Sequence, residues 1–118
     1  MKILIVEDEA IIARILQLQL TKMGHTVVGP VATGEEAITS AAEHKPEAIL
    51  MDIRLAGDID GIQATATIQK EQDPDIPVIF VTAYDEDSIK NRAMQLNPLA
   101  YLMKPVKPDT IKEWLDKI

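Results

Sequence analysis

The chain has 118 residues, a mass of 13.0 kDa and a formal charge of −7, which fits one domain, residues 1–118, with a single core. Hydrophobic residues make up 47% and charged residues 26%, so a disordered chain is excluded. The absence of cysteine removes disulfides, zinc–thiolate sites and thiol nucleophiles, and 19 acidic against 12 basic residues argue against a nucleic-acid surface. No apolar run approaches the roughly 18 residues of a membrane span, and no signal peptide opens the chain. A cytoplasmic location is expected.

The apolar run Ile3–Val6 ends abruptly in Glu7-Asp8. Short, continuous and β-branched, it predicts a strand buried on both faces. Ile12, Ile15, Leu16, Leu20 and Met23 then recur at helical spacing, with Gly24 at the C-cap. Thr26-Val27-Val28-Gly29 predicts a short second strand. A weaker helix opens at Gly34 with Thr33 as its N-cap and Ala37, Ile38, Ala41 and Ala42 along it. Ala48–Met51 is a third buried strand and ends in Asp52.

A polar loop follows, with Arg54, Gly57, Asp58, Asp60 and Gly61. A helix over about 62–69 stops before Asp73-Pro74. Pro77–Val81 predicts the fourth strand, ending in Thr82. Asp85 is placed to cap a helix carrying Ile89, Ala93 and Leu96, and Asn97-Pro98 stops it. Leu99–Leu102 predicts the fifth strand, before Lys104-Pro105. The last helix starts near Pro108, a good first-turn residue, and is expected to bury Ile111, Trp114, Leu115 and Ile118. His25 and His44 fall in polar turns and read as solvated.

Alternating strands and helices with continuous apolar strands predict an α/β fold: a doubly wound, flavodoxin-like (βα)5 sandwich whose parallel sheet runs in the order 2-1-3-4-5. Ligands of such sheets bind beyond the strands' carboxyl ends, where the strand order reverses. On that rim stand Glu7 and Asp8 after the first strand, Asp52 after the third, Thr82 after the fourth and Lys104 after the fifth. Two carboxylates about 4 Å apart repel by roughly 4 kcal/mol at an effective dielectric of 20, so three of them need a cation. An all-oxygen site without Cys or His favours Mg²⁺ (or Mn²⁺). A cation, a lysine and a hydroxyl around a carboxylate suit a phosphoryl group, for which Asp is a known nucleophile. Taken alone, Glu7 and Asp8 read equally well as caps of the first helix.

Five motifs stand in order at strand ends: Ile-Val-Glu-Asp at 5–8, Leu-Met-Asp-Ile-Arg-Leu at 50–55, Asp-Gly at 60–61, Val-Thr-Ala at 81–83 and Tyr-Leu-Met-Lys-Pro at 101–105. Together they make the chain resemble the CheY-like receiver domain of two-component response regulators, over nearly its whole length. The resemblance implies that Asp52 accepts a phosphoryl group from a sensor histidine kinase. It implies that Asp8 ligates Mg²⁺ directly, Glu7 through water, and Arg54 through its backbone carbonyl. Thr82 and Lys104 would contact phosphoryl oxygens, and Lys104-Pro105 would be cis. Thr82 and Tyr101 would be the switch residues. Phosphorylation would reshape the surface of the fourth helix, fifth strand and fifth helix, to regulate a downstream effector or an attached output domain. Autophosphorylation from small phosphodonors and autodephosphorylation are implied, but no metabolic enzyme. A monomer, or a weak dimer through that same surface, is expected.

Two departures stand out. Ala56 occupies a position where the family often has proline, and the 56–61 loop looks one residue longer than the commonest form. Competing readings fit less well. Haloacid-dehalogenase phosphatases want a second acid two residues after the nucleophile, where this chain has Arg54. A flavin module wants a hydroxyl- and Gly-rich loop where this chain has Glu7-Asp8-Glu9. A degenerate receiver would lack one of the five site positions, and none is lacking. The short last helix favours a piece of a longer protein over a stand-alone regulator.

Overall fold

The computed structural model describes residues 1–118. Five strands and five helices alternate: β1 Lys2–Val6, α1 Ala10–Lys22, β2 Thr26–Val31, α2 Gly34–His44, β3 Ala48–Met51, α3 Gly61–Glu71, β4 Val78–Thr82, α4 Asp87–Met94, β5 Ala100–Met103 and α5 Pro108–Leu115. The sheet is parallel throughout and ordered β2-β1-β3-β4-β5, as the alternation predicts.

The period-2 geometry of the strands sorts their side chains into two cores. Leu4, Val6, Ile49, Met51, Val78 and Phe80 face α2, α3 and α4, where they meet Ala37, Ala41, Ile62, Ile68 and Ala93. Ile3, Ile5, Leu50, Ile79 and Val81 point the other way, against Leu16 and Leu20 of α1 and Ile111 and Leu115 of α5. Both faces of the central strands are therefore dry, which is why β1, β3 and β4 read as unbroken apolar runs.

Several local expectations are corrected. β2 continues to Val31 through a cis Gly29-Pro30 bond, and the β1–β2 register shifts between Leu4 and Val6. β5 lies one residue later than expected. Asp85 does not cap α4; the N-cap is Glu86, without a side-chain bond, because the helix starts only at Asp87. Ile15 and Ile118 are exposed. The buried stripe of α1 is Ala13, Leu16 and Leu20, and Ile118 lies beyond the end of α5. Trp114 is half-buried, with the Lys117 ammonium 4.4 Å from the centre of its ring. Thr33 does cap α2, accepting from the Glu36 amide at 3.0 Å.

The long loop after β3 has a defined course. Ala56 forms a bridge with Thr33. The Asp58 amide donates to Glu35 Oε2 at 3.3 Å. Asp60 caps α3: its Oδ1 accepts from the Gln63 amide at 2.8 Å while Gln63 Oε1 accepts from the Asp60 amide at 2.9 Å. Its Oδ2 meets Arg92 of α4 at 3.2 Å. Gly61 follows because the chain passes so close to Asp52 that a Cβ there would lie 1.9 Å from the Asp52 carbonyl oxygen.

Gly61→Ala should therefore cost about 2–4 kcal/mol, read as a lower midpoint in urea unfolding. A midpoint within error of the wild type would show that the chain can yield there.

Candidate phosphoryl-transfer site

Parallel strands that end together bring their next residues together. β1 and β3 pair through Val6–Met51, and Asp52 then donates its amide to the Val6 carbonyl at 3.0 Å. Glu7 and Asp52, each one residue past its strand, become neighbours. Ligand oxygens of Glu7, Asp8 and Asp52 all lie within 4.8 Å of one another. On the other side β4 pairs with β5 through Thr82–Met103, and the Lys104 amide donates to the Thr82 carbonyl at 2.9 Å. Each rim residue singled out in the sequence thus arrives by strand register.

Lys104 crosses the rim. Its Nζ donates to Glu7 Oε1 at 2.5 Å and to Asp52 Oδ2 at 2.7 Å. Glu7, Asp52 and Thr82 are buried, whereas Asp8 is exposed. The remaining oxygens are only partly used. Glu7 Oε2 accepts from the Glu9 amide at 3.1 Å, and Asp52 Oδ1 from the Ile53 amide at 2.7 Å. With all three acids ionised, three negative charges face one positive charge, which leaves −2.

Burial pushes the Glu7 carboxyl up to about 7, against the hydrogen bonds from Lys104 and the Glu9 amide that favour its charged form; the charge on Asp52 pushes the same way as burial. Burial alone would lower Lys104, but its bonds to Asp52 and Glu7 outweigh that and hold the ammonium above its ordinary value. A divalent cation among the three carboxylates fits this imbalance. The donor set is all oxygen, and the Arg54 carbonyl accepts none of the backbone hydrogen bonds, which leaves its oxygen available as a further donor.

Thr82 Oγ1 accepts from the Tyr84 amide at 3.3 Å. Tyr101 is half-buried, its ring centre 6.2 Å from that of Phe80, and its hydroxyl donates to the Tyr84 carbonyl. Burial, then the charges of Asp85, Asp52 and Glu86, raise the Tyr101 phenol. One side-chain contact had no sequence signal. The Arg54 guanidinium stacks on the Tyr84 ring, 5.1 Å from its centre. Lys104 meets Glu7 across 97 residues of chain. The histidines lie away from the rim. His44 is exposed, but His25 is not simply solvated: its Nδ1 lies 2.9 Å from the terminal amine of Met1. Burial, then that charge, lowers its pKa.

The folded value of Glu7 lies above the ordinary 4.5. Its contribution to stability is therefore complete below about pH 4.5 and is lost as the pH rises through about 7. Lys104→Met should destabilise the protein by about 2 kcal/mol at pH 8, where the ammonium faces two buried carboxylates. The loss should shrink at pH 5, where Glu7 holds its proton. Urea unfolding at both pH values checks this, and an equal or larger loss at pH 5 would contradict it.

The fold has counterparts among known proteins. A family description, "Response regulator receiver domain", matches residues 3–116. A positive alginate biosynthesis regulatory protein of Pseudomonas aeruginosa is 39% identical over 119 residues, covering 99% of this chain and 46% of that protein. The chain thus spans about half the length of that relative. The chemotaxis protein CheY of Thermotoga maritima is 31% identical, over 99% of this chain and 96% of its own. Among solved structures, the receiver domain of a Pseudomonas aeruginosa sensor histidine kinase, with a magnesium ion coordinated in its active-site cleft, superposes with a TM-score of 0.88 at 32% identity, covering 98% of this chain and 94% of that one. With a match across nearly its whole length, this chain belongs to the receiver domains of response regulators.

Proposed function

We propose that the domain is a phosphorylation-dependent switch of a two-component system, with Asp52 as the residue that accepts the phosphoryl group from a sensor histidine kinase. The observation that carries this reading is the Asp52 carboxylate itself: buried at a strand end, grouped with two further acids, and bonded to a single lysine. In the transfer, an Asp52 oxygen forms a P–O bond as the P–N bond of phosphohistidine breaks. The electron pair leaves with the imidazole, which takes up a proton from water. The same carboxylate would react with small phosphodonors, and hydrolysis of the acyl phosphate resets the switch.

Glu7, Asp8 and Asp52, with the Arg54 carbonyl, would hold Mg²⁺ or Mn²⁺. When bound, the cation supplies charge neutralisation at the phosphoryl oxygens. Lys104 pairs with another phosphoryl oxygen once it gives up a carboxylate, and the Thr82 hydroxyl donates to a third. Phosphorylation adds about 1.5 to 2 negative charges, which draws Thr82 and the segment after it inward. Tyr101 is bonded to that segment at Tyr84, so its ring follows. The surface of α4, β5 and α5 then selects a downstream effector or an attached output domain, as monomer or weak dimer, in the cytoplasm. No helix is long and apolar enough to cross a membrane.

Incubation with acetyl phosphate and Mg²⁺, followed by intact-mass measurement, should show one added phosphoryl group in the wild type and none in Asp52→Asn or without the metal. No mass gain from either acetyl phosphate or a competent kinase would overturn the reading.

A further inference from the structure

Phosphoryl transfer at Asp52 leaves the side chains of Arg54 and Tyr84 without a role, yet they join the two loops that follow β3 and β4. Arg54 is exposed and Tyr84 half-buried, and the guanidinium carbon lies 5.1 Å from the ring centre. Arg54 forms none of the ion pairs of the structure, so the stack is what holds its charge in place. Both residues line a cavity of about 340 Å³ together with Ile53, Leu55 and Ile89. The contacts continue outward: the Tyr84 carbonyl accepts from the Tyr101 hydroxyl, and Lys90 of α4 lies 5.7 Å from the centre of the Tyr101 ring. A series of contacts, through the Tyr84 side chain and then its backbone carbonyl, therefore runs from the loop after Asp52 to α4 and β5.

The stack is one of the two cation–ring contacts in this series. A cation over a half-buried aromatic ring is only modestly attracted to it. A guanidinium binds a phosphoryl group through two parallel charge-assisted bonds, each about twice as strong as a neutral hydrogen bond. Two residues of chain span at most about 7 Å, so Arg54 reaches a phosphoryl group on Asp52. We propose that Arg54 is a phosphoryl-sensing residue: on phosphorylation its guanidinium leaves the Tyr84 ring for the phosphoryl oxygens and unties the loop that carries Tyr84. The inference rests on Asp52 being the acceptor.

Beryllium trifluoride with Mg²⁺, a mimic of the acyl phosphate, provides the test in the full chain. In the resting protein the Arg54 side-chain protons should carry ring-current shifts from Tyr84 in NMR spectra, and these should vanish on saturation with beryllium trifluoride. Arg54→Met keeps the backbone carbonyl and should weaken beryllium trifluoride binding about tenfold. Tyr84→Leu removes the competitor and should tighten binding about threefold. The double variant should match Arg54→Met alone, a pattern that a merely structural role of either residue would not produce. Ring-shifted Arg54 protons at saturation, or single variants that move the affinity in the same direction, would overturn the inference while leaving the phosphoacceptor reading intact. A wild-type protein that neither binds beryllium trifluoride nor gains phosphoryl mass would overturn that reading, and the inference with it.

Discussion

One ammonium stands among three carboxylates at the edge of the sheet, and most of the site follows from that imbalance. Lys104 satisfies one oxygen of Glu7 and one of Asp52 but cannot neutralise both acids and Asp8 as well. Burial, with a smaller push from the charge on Asp52, makes Glu7 hold its proton more tightly, up to about 7. Burying such a group is costly unless charge arrives to meet it. The rim is thus prepared for a divalent cation and for a ligand that brings its own oxygens. In the proposed switch a phosphoryl group on Asp52 would also give Lys104 a new partner, which would make the acceptor chemistry and the rearrangement of the rim one event.

The sheet makes this arrangement precise without specialised local structure. Dry, apolar β1, β3 and β4 fix the register of their last residues, and the polar side chains one step beyond inherit that position. α4 is held far more lightly. Ala93 is its one buried residue, and its N-cap makes no side-chain bond. Such an element moves at low cost, and it forms the surface that neighbours β5. Stability is concentrated under the site and spared where the proposed switch calls for movement.

Much of this was legible in the chain. The unbroken runs 3–6, 48–51 and 78–81 announced strands with two buried faces, and the strand order followed from their alternation with helices. The acids and the hydroxyl stand out because they come at the ends of such runs, and the lysine because it comes after the fifth strand. Other features were hidden for physical reasons. β2 looked finished at Gly29 because proline usually breaks a strand, whereas here the chain carries on to Val31. α1 has a wide apolar face, with Ile11, Ile15 and Leu18 as well as Leu16 and Leu20, so its period could not say which part of that face would be buried. Asp60 read as one more loop acid, although its two oxygens cap α3 and hold Arg92. The stack of Arg54 on Tyr84 depends on how two loops meet in space, which no local pattern records.

The charge imbalance is tested most directly by Mg²⁺ titration of the resting protein, followed by amide NMR shifts. One saturable site is expected, with the shifts centred on residues 7, 8, 52 and 54, and Asp8→Asn should weaken it about tenfold. Shifts that are absent, that fail to saturate, or that are unchanged by Asp8→Asn would contradict a rim built around a missing positive charge.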